Sequence, residues 1–342
     1  MAASGRVPGI VDVARLAEVS VGTVSNVLNN PAKVSPQTFQ RVTVAIDKLG
    51  FVRNANARNL AQGSSSAIGL SLIDISNTLF VDIARGAQKA ASEANMNLLL
   101  ANADNHFELQ NKNLEFFEGA RVDGILLTPM QDSRASIERV RRHGRPVVVM
   151  NYTSDEKDIC TVLVDNEQVG YLAARHQIET GRTRIAFVGG HDDLQPVHLR
   201  RHGVRRAVAE ERGVTLEEIS TTDLNRESGN RIAKHLAARA VSNRPDAVIA
   251  VTDLLAAGMI DELSGQRISV PWDVAVMGCD DNAAALGGSI PLSTVGLRGY
   301  DMGLESTKLL IEEIRTGNSH RHRTVTLPPV LIARESTLGR KR

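Results

Sequence analysis

Small hydroxyl-bearing side chains are concentrated between residues 20 and 25. Ser20, Thr23 and Ser25 can each donate a hydrogen bond to a phosphate oxygen, as can the free N–H groups at the start of a helix. The amide of the adjacent Asn26 can pair with an adenine edge through two hydrogen bonds. Side chains of these types are able to contact the phosphates and bases of a nucleic acid.

Two short helices joined by a tight turn would position these side chains. Val11, Ala14 and Leu16 mark the first helix, and Ser20 is suited to the N-cap of the second. The apolar residues of the second helix repeat at helical spacing and are Val21, Val24, Val27 and Leu28. The pattern predicts a helix-turn-helix.

A third helix is predicted after a polar turn. Ser35 and Pro36 suit its N-cap and first helical position, and Gly50 suits the left-handed position just past its end. One apolar stripe runs along it and consists of Phe39, Val42, Ala45, Ile46 and Leu49. Three helices can then share one small core.

A hinge and a linker are predicted next. Residues 54–62 can form about two helical turns, which are marginal in water without a partner. The run GSSS at 63–66 is a flexible linker by composition. The predicted domains are therefore a helix-turn-helix DNA-binding domain at 1–53, a hinge helix and linker at 54–66, and a body at 67–342.

Charge is distributed unevenly along the 342 residues, whose net charge is +1. Residues 1–63 hold seven Lys or Arg against three acids, a net +4, so the remainder carries −3. The basic excess fits phosphate contact, although small domains often carry a few net charges.

Two cysteines, Cys160 and Cys279, are too few for a disulfide framework. The amino-terminal residues lack the apolar core of a signal peptide, and no apolar run reaches the roughly 18 residues of a membrane span. The expectation is a cytoplasmic protein with no membrane contact.

Beyond residue 66, short aliphatic runs alternate with helical segments. The predicted strands are 68–73, 98–101, 124–127, 147–150, 161–164, 185–188, 247–251, 274–277, 292–295, 324–327 and 330–333. The predicted helices include 79–94, 169–179, 199–212, 227–240, 254–263 and 301–315. Strands that are apolar on both faces and separated by helices indicate parallel sheets covered on both sides.

The number of strands is too high for one compact sheet of this length. The predicted fold class is therefore α/β, with an N-terminal helix-turn-helix domain and a core of two lobes built on parallel sheets. The predicted N-lobe covers about 67–164 with 298–328, and the C-lobe covers about 165–295 with 329–342.

Motifs occur along nearly the whole chain. They include VDVARLAEVSVGTVSNVLN at 11–29, NANARNL at 54–60, DISNTLF at 74–80, GCDD at 278–281 and LIARES at 331–336. In this order they resemble the lactose-repressor (LacI/GalR) family of bacterial transcription regulators. The resemblance implies a helix-turn-helix head, a hinge helix and a core like that of periplasmic sugar-binding proteins.

The same resemblance implies a function. A homodimer would bind a pseudo-palindromic operator on double-stranded DNA, usually as a repressor, and a small effector held between the lobes would set its affinity. The effector is expected to be a sugar or a related metabolite. The direction of its effect stays open.

The resemblance also assigns residues to DNA. Val21, Gly22 and Asn26 take the base-contacting positions, where many relatives have larger polar residues and an arginine, so a different operator sequence is predicted; alternatively, Val21 packs in the core. Leu60 resembles the hinge leucine that wedges between base pairs; alternatively, it packs against the partner's hinge. The full predicted set is Ser20, Val21, Gly22, Thr23, Ser25, Asn26, Asn29, Arg53, Asn54, Arg58 and Leu60.

Two residues depart from the family pattern. Glu18 occupies a turn position where many relatives have glycine, and a positive φ there would cost about 1 kcal/mol. Arg53 stands where proline often precedes the hinge, which loosens the hinge but adds a positive charge near phosphate.

Effector contacts are assigned by motif position at the ends of strands. Arg200 and Asp280 form the strongest pair, because a guanidinium and a carboxylate can hold adjacent hydroxyls of a sugar or ribosyl group; alternatively, each is a salt bridge or a strand-end cap. Phe80 is the main stacking candidate, and Trp272 is expected on a surface turn. The predicted set is Leu79, Phe80, Asn151, Arg200, Thr252, Asp253 and Asp280.

Other interpretations are weaker. A solute-binding receptor of the same core fold would not explain residues 9–62, and an enzyme would need catalytic motifs that the sequence lacks, so neither catalytic residues nor cofactors are assigned. His198 and His202 lie four residues apart, with His191 and Asp192 upstream, but chance surface histidines explain this better than a metal. The runs at 139–145 and 320–323 are expected to form solvated charged faces.

Overall fold

A computed structural model describes residues 8–51, 67–154, 158–190 and 194–339. The chain divides into two compact units, Met1–Ser65 and Ser66–Arg342. Within the described ranges, no helix is both long enough and apolar enough to cross a membrane.

The first unit contains three helices in its described part. They are α1 (Ile10–Leu16), α2 (Val21–Asn29) and α3 (Pro36–Leu49), with a short 3-10 turn at Pro31–Lys33. Ser20 and Ser35 cap α2 and α3 as predicted, because each side chain accepts a hydrogen bond from a backbone N–H three residues on. Gly50 ends α3 in the left-handed conformation, with φ 60°. The turn between α1 and α2 requires a positive φ at Glu18, which has φ 53°.

The buried face of α1 differs from the prediction. Val13, Ala14 and Ala17 are buried, whereas Val11 and Leu16 are exposed. At about 100° per residue, Val11 and Leu16 lie roughly 110° around the helix from the centre of the buried face, so they cannot share it. Phe39, at the amino-terminal end of the predicted stripe on α3, is also exposed.

The second unit contains two six-stranded sheets. The strands of the first are β1 (Ala67–Leu72), β2 (Asn97–Asn102), β3 (Gly124–Leu127), β4 (Val147–Met150), β5 (Cys160–Val164) and β11 (Thr324–Leu327). Those of the second are β6 (Arg184–Gly189), β7 (Thr215–Ser220), β8 (Ala247–Ala250), β9 (Ala275–Asp280), β10 (Ser293–Gly296) and β12 (Val330–Ile332). The spatial orders are β11-β5-β4-β3-β1-β2 and β12-β10-β9-β8-β6-β7.

All described pairings are parallel except that of β10 with β12. The central strands of each sheet are nearly continuous hydrophobic runs, as expected for sheets covered on both faces, whereas the edge strands β2, β7, β11 and β12 are partly exposed. Strand β7 was not predicted, because it is an exposed edge strand whose sequence TLEEIS has neither an aliphatic run nor a clean alternation.

Helices cover the two sheets. They are α4 (Thr78–Glu93), α5 (Phe107–Gly119), α6 (Arg134–Arg142), α7 (Asn166–Glu179), α8 (Gln195–Ala209), α9 (Arg226–Ala237), α10 (Asp253–Gly265), α11 (Gly299–Thr316) and α12 (Glu335–Leu338). We call the part built on the first sheet the N-lobe and the part built on the second sheet the C-lobe. The chain crosses between them after β5, after β10 and after β11.

Helices α7 and α8 touch at two glycines. A Cβ added to Gly170 would lie 1.9 Å from the backbone oxygen of Arg200, and one added to Gly203 would lie 1.9 Å from that of Glu167. Neither position tolerates a side chain without movement of the backbone. This close approach fixes the part of α8 that carries Arg200.

Candidate functional site

A cavity of about 510 Å³ lies between the lobes. Its volume falls within the roughly 300–1,000 Å³ of small-molecule sites. The lining residues that the sequence predicted are Leu79, Phe80, Asn151, Arg200, Thr252 and Asp280. They come from both lobes, so a bound molecule would contact both.

Arg200 and Asp280 lie together at the base of the cavity. Arg200 Nη1 is 3.5 Å from Asp280 Oδ1, and both side chains are almost wholly buried. Arg200 also donates from Nε to Asn166 Oδ1 at 3.0 Å and from Nη1 to the Val251 carbonyl at 2.6 Å. The guanidinium is therefore held in one orientation before any ligand arrives.

Asp280 is also bound from the opposite lobe. Asn77, which caps α4 by accepting from the Leu79 N–H at 3.0 Å, donates to Asp280 Oδ2 at 3.0 Å. The amide of Asn282 in turn donates to Asn77 Oδ1 at 2.8 Å. A buried polar network therefore connects the lobes directly beside the cavity.

Asp253 does not line the cavity, which corrects its predicted role as an effector contact. It is fully buried beneath Asp280 and accepts hydrogen bonds from Thr294 Oγ1 at 2.7 Å and from the Asn282 N–H at 2.9 Å. The same Thr294 oxygen accepts the Asp280 N–H at 3.2 Å. Asp253 thus helps to fix the position of Asp280 through Thr294.

Burial is the main influence on the pKa values of Asp253 and Asp280. Burial raises the pKa of Asp253, and the neighbouring Asp280 carboxylate raises it further. Burial also raises the pKa of Asp280, while the guanidinium of Arg200 and the amide of Asn77 oppose that shift. Arg200 therefore favours the charged form of Asp280, whereas hydrogen bonds from Thr294 and the Asn282 N–H favour that of Asp253.

The remaining predicted contacts occupy element ends. Asn151 follows β4 with φ 50°, a conformation that asparagine tolerates better than most residues, and its side chain accepts from Asn166 Nδ2 at 3.0 Å. Thr252 caps α10 and donates to the Leu224 carbonyl at 3.2 Å. Phe80 is the only aromatic residue among the described lining residues, and Trp272 is 70% exposed away from the cavity.

Several lining residues were not predicted as contacts. They include Asp74, Asn77, Asp104, Thr128, Met130, Met150, Asp223, Leu224 and Asn225. Asp74 and Asn77 lie in the quoted DISNTLF motif and were within reach of sequence reasoning. Met150 ends β4, and the others come from loops; the convergence of all of them depends on how the lobes fold.

Helix α2 presents the predicted DNA-contacting side chains. Val21, Gly22 and Asn26 are exposed, while Val24 and Val27 form its buried face. Val21 is 42% exposed, which excludes the alternative that it packs in the core of this unit.

The hydroxyls of α2 have local partners. Ser20 Oγ accepts from the Thr23 N–H at 3.1 Å and lies 2.9 Å from Thr23 Oγ1, and Asn29 donates to Ser25 Oγ at 3.1 Å. These bonds fix the side chains at the start of the helix. Arg53, Asn54, Arg58 and Leu60 lie outside the described residues.

Comparisons with known proteins agree with this arrangement. Residues 9–54 match the family model described as bacterial regulatory proteins, lacI family, and residues 174–337 match a periplasmic binding protein-like domain. The chain is 30% identical over 328 residues to the HTH-type transcriptional repressor PurR of Vibrio parahaemolyticus, covering 96% of this chain and 98% of that protein.

Solved structures show the same fold. A transcriptional regulator CelR–cellobiose complex is 28% identical, with a TM-score of 0.71 and coverage of 96% of this chain and 99% of that chain. The lac repressor dimer bound to operator and the anti-inducer ONPF is 20% identical, with a TM-score of 0.81 and coverage of 97% and 99%.

Fold and site together define a DNA-binding transcriptional regulator with an effector-binding core. Its helix-turn-helix precedes a two-lobed core that encloses a cavity. The chain belongs to the lacI family of bacterial regulatory proteins.

Proposed function

We propose that the chain represses transcription from a pseudo-palindromic operator and that a neutral, hydroxyl-rich small molecule of the sugar class controls its affinity for that operator. The interlobe cavity with the buried Arg200–Asp280 pair carries the effector half of this proposal. We infer a regulatory role with no catalysed reaction, exercised in the cytoplasm, where bacterial DNA lies.

Charge inside the cavity favours a neutral effector. Its described lining contains four carboxylic acids, Asp74, Asp104, Asp223 and Asp280, against the single cation Arg200. Carboxylates accept hydrogen bonds from hydroxyls but repel phosphate and carboxylate groups. Phosphorylated sugars and organic acids are therefore disfavoured.

The Arg200–Asp280 pair would orient a molecule bound in the cavity. Asp280 can accept from one sugar hydroxyl while Arg200 donates to its neighbour, and Phe80 offers an apolar surface to a ring face. Asp253 acts as a positioning residue, because its bond to Thr294 holds the strand end that carries Asp280.

DNA binding is assigned to the exposed start of α2. Val21 and Asn26 would contact base edges in the major groove, and Ser20, Thr23, Ser25 and Asn29 would contact or border phosphates. Arg53, Asn54, Arg58 and Leu60 complete the proposed DNA-binding set from the hinge side.

Linkage between the two sites requires that effector bind one lobe arrangement better than the other. Asn77 and Asp280 join the lobes next to the cavity, so a ligand on Asp280 changes the energy of lobe closure directly. In a homodimer this change would alter the spacing of the two heads and thus the stability of the paired hinges.

Thermal unfolding of the full chain with a panel of neutral sugars, sugar phosphates and nucleosides tests the effector class. A neutral sugar at a hundred times its Kd should stabilise the protein by about 2.7 kcal/mol. Asp280→Asn should weaken its binding about tenfold to a hundredfold, since a hydrogen bond to a charged group is lost. Asp301→Asn, the same change at an exposed ion pair outside the cavity, should leave binding unchanged.

Selection of binding sites from random DNA, followed by affinity measurements with and without the sugar, tests the regulatory half. A pseudo-palindromic site whose affinity changes when the sugar is added is the expected result. Stabilisation only by sugar phosphates would contradict the effector class, and sugar binding that leaves DNA affinity unchanged would contradict the linkage.

A further inference from the structure

We propose that Cys160, Glu313, His320 and His322 form a zinc-binding site in the N-lobe, separate from the effector cavity. One thiol, two imidazoles and one carboxylate offer ligand atoms that all lie within 4.8 Å of one another. None of the four residues lines the interlobe cavity.

The fold brings these residues together from distant parts of the chain. Cys160 begins β5, Glu313 lies in the last turns of α11, and both histidines lie in the segment that leads from α11 to β11. Strand β11 pairs with β5 in parallel, with Thr324 opposite Thr161, and the Thr161 N–H donates to the Arg323 carbonyl at 3.1 Å. The cluster therefore lies at the amino-terminal ends of these strands, on the side of the sheet opposite the carboxyl-terminal ends that face the cavity.

The spacing of the ligand atoms fits a tetrahedral ion. Cys160 Sγ is 3.1 Å from His320 Nε2 and 3.9 Å from His322 Nδ1, and His322 Nδ1 is 3.9 Å from Glu313 Oε2. With Zn–S of about 2.3 Å and Zn–N of about 2.1 Å, a regular tetrahedron places sulfur and nitrogen about 3.6 Å apart. These three distances differ from the tetrahedral spacing by about half an ångström or less, and no two of the four ligand atoms are more than 4.8 Å apart, so modest side-chain movements would complete the geometry.

Buried polar atoms at the cluster are left without partners. Glu313 Oε2 and His320 Nδ1 are both buried and form no hydrogen bond with the described residues. The side chain of His320 is only 1% exposed, so the expected solvated face at 320–323 holds for Arg321 and Arg323 but not for His320. A cation bound to the carboxylate would compensate the cost of its burial.

The neighbouring cations already have anionic partners. Arg141 pairs with Asp158 at 2.6 Å, and Arg323 pairs with Glu312 at 2.6 Å. Both charges are thereby offset, so neither opposes a divalent ion strongly.

Glu312 lies close enough to support His320 once zinc is bound, while the two form no hydrogen bond in this structure. Its Oε1 lies 3.4 Å from His320 Nδ1, the ring nitrogen that would point away from the metal. A carboxylate that accepts from the second nitrogen of a ligating histidine fixes the ring and strengthens its bond to the metal.

The ligand set selects the ion. Thiolate and imidazole suit zinc, whereas magnesium and calcium require sets made entirely of oxygen. On binding, a zinc–sulfur bond forms and the thiol proton leaves to solvent. A nucleophilic role for Cys160 is excluded by its complete burial away from the cavity, which leaves no room for a substrate.

Metal binding by the untagged full chain tests the site. After chelation and dialysis, the protein should take up one zinc ion per chain, and cobalt(II) in its place should give a thiolate-to-cobalt charge-transfer band in the near ultraviolet. Cys160→Ser should abolish the band and weaken zinc binding at least tenfold. Glu312→Gln should weaken it about tenfold while keeping the band.

Two matched controls and one further variant make the test decisive. Cys279→Ala removes the other thiol, and His202→Gln removes an exposed imidazole on α8; both should keep full zinc uptake and the cobalt band. If Cys160→Ser fails to fold, His322→Gln provides the same test at a partly exposed ligand. Zinc uptake that survives in the folded ligand variants, or a cobalt complex without the band, would overturn the proposal.

Discussion

Val21, Gly22 and Asn26 form a small exposed surface at the start of α2, and only Asn26 among them can make paired hydrogen bonds to a base edge. In the proposed contact with DNA, specificity would therefore depend on one amide and on the apolar contact of one valine. An arginine in place of Asn26 would favour guanine instead.

Asn26→Ala should lower affinity for the selected operator by about 1–3 kcal/mol, roughly tenfold to 150-fold, because a bidentate base contact is lost. Affinity for random DNA and the slope of affinity against salt should stay the same, since no phosphate contact is removed. Fluorescence anisotropy at several salt concentrations measures both. Gln40→Ala, an amide lost from an exposed position on α3, serves as the control; equal losses on operator and random DNA would contradict a base-contacting role.

The buried Asp253 predicts a dependence of stability on pH. Its pKa is raised in the folded state, chiefly by burial, so the folded chain binds a proton more tightly than the unfolded chain does. The free energy of unfolding should therefore fall as pH rises from the ordinary carboxyl range towards neutrality, and part of this loss belongs to Asp253. Asp253→Asn should flatten the dependence in urea unfolding between about pH 5 and 8.

Asp301→Asn is the control for that measurement, because Asp301 is partly exposed and paired with Arg298. It should preserve the slope of the parent chain. An unchanged slope in Asp253→Asn would show that this carboxyl is not the origin of the effect.

At the scale of elements, the position of Arg200 depends on how closely α7 and α8 pack. Gly170 faces the backbone of Arg200 itself, so the guanidinium in the cavity is placed by a contact that involves no side chain at Gly170. Helix packing and effector binding are thereby connected through one backbone segment.

Gly170→Ala should destabilise the protein by about 3 kcal/mol or more, since the new methyl group would meet a backbone oxygen that cannot rotate away. Effector affinity should fall as well, because α8 must move. Gly119→Ala is the matched change at an exposed helix end with open space, where an effect between neutral and about 1 kcal/mol of stabilisation is expected. Urea unfolding and calorimetric titration measure the two effects, and equal behaviour of the two variants would contradict the packing argument.

Much of the fold was predictable at this scale. Buried parallel strands are aliphatic runs, so β3 and β4 begin and end where the sequence indicated. The edge strand β7 was not predictable, because solvent on its flank removes the hydrophobic signal. Arg200 and Asp280 were identified from motif position, whereas the bond from Asn77 to Asp280 joins residues about two hundred positions apart and has no local signature.

At the scale of the whole molecule, the edge strands β7 and β2 of the two sheets differ in what they expose. Edge strand β7 carries Glu217 and Glu218, which pair with Arg239 and Arg205. Edge strand β2 instead exposes Leu100, next to Val81 and Tyr300 on the flanking helices. Exposed apolar edges are often covered by a partner, so we propose that the surface of Val81, Leu100 and Tyr300 forms the interface of the proposed homodimer.

Leu100→Glu should therefore convert the dimer to monomers and reduce operator affinity, because one head alone contacts only half of a pseudo-palindrome. Sedimentation velocity measures the oligomeric state. Val241→Glu, which adds the same charge at a more exposed apolar residue of the C-lobe, should leave the dimer intact. A Leu100→Glu variant that remains dimeric would exclude this surface.

The three crossings between lobes set the order in which the molecule can be completed during synthesis. The first sheet acquires its sixth strand, β11, only after every helix of the C-lobe from α7 to α10 has emerged. Until then β5 has no partner strand on one side. His320, which contacts Cys160, is synthesised 160 residues after it. A ribosome that stalls before β11 therefore leaves the earlier lobe as the unfinished one, with an unpaired strand available for aggregation.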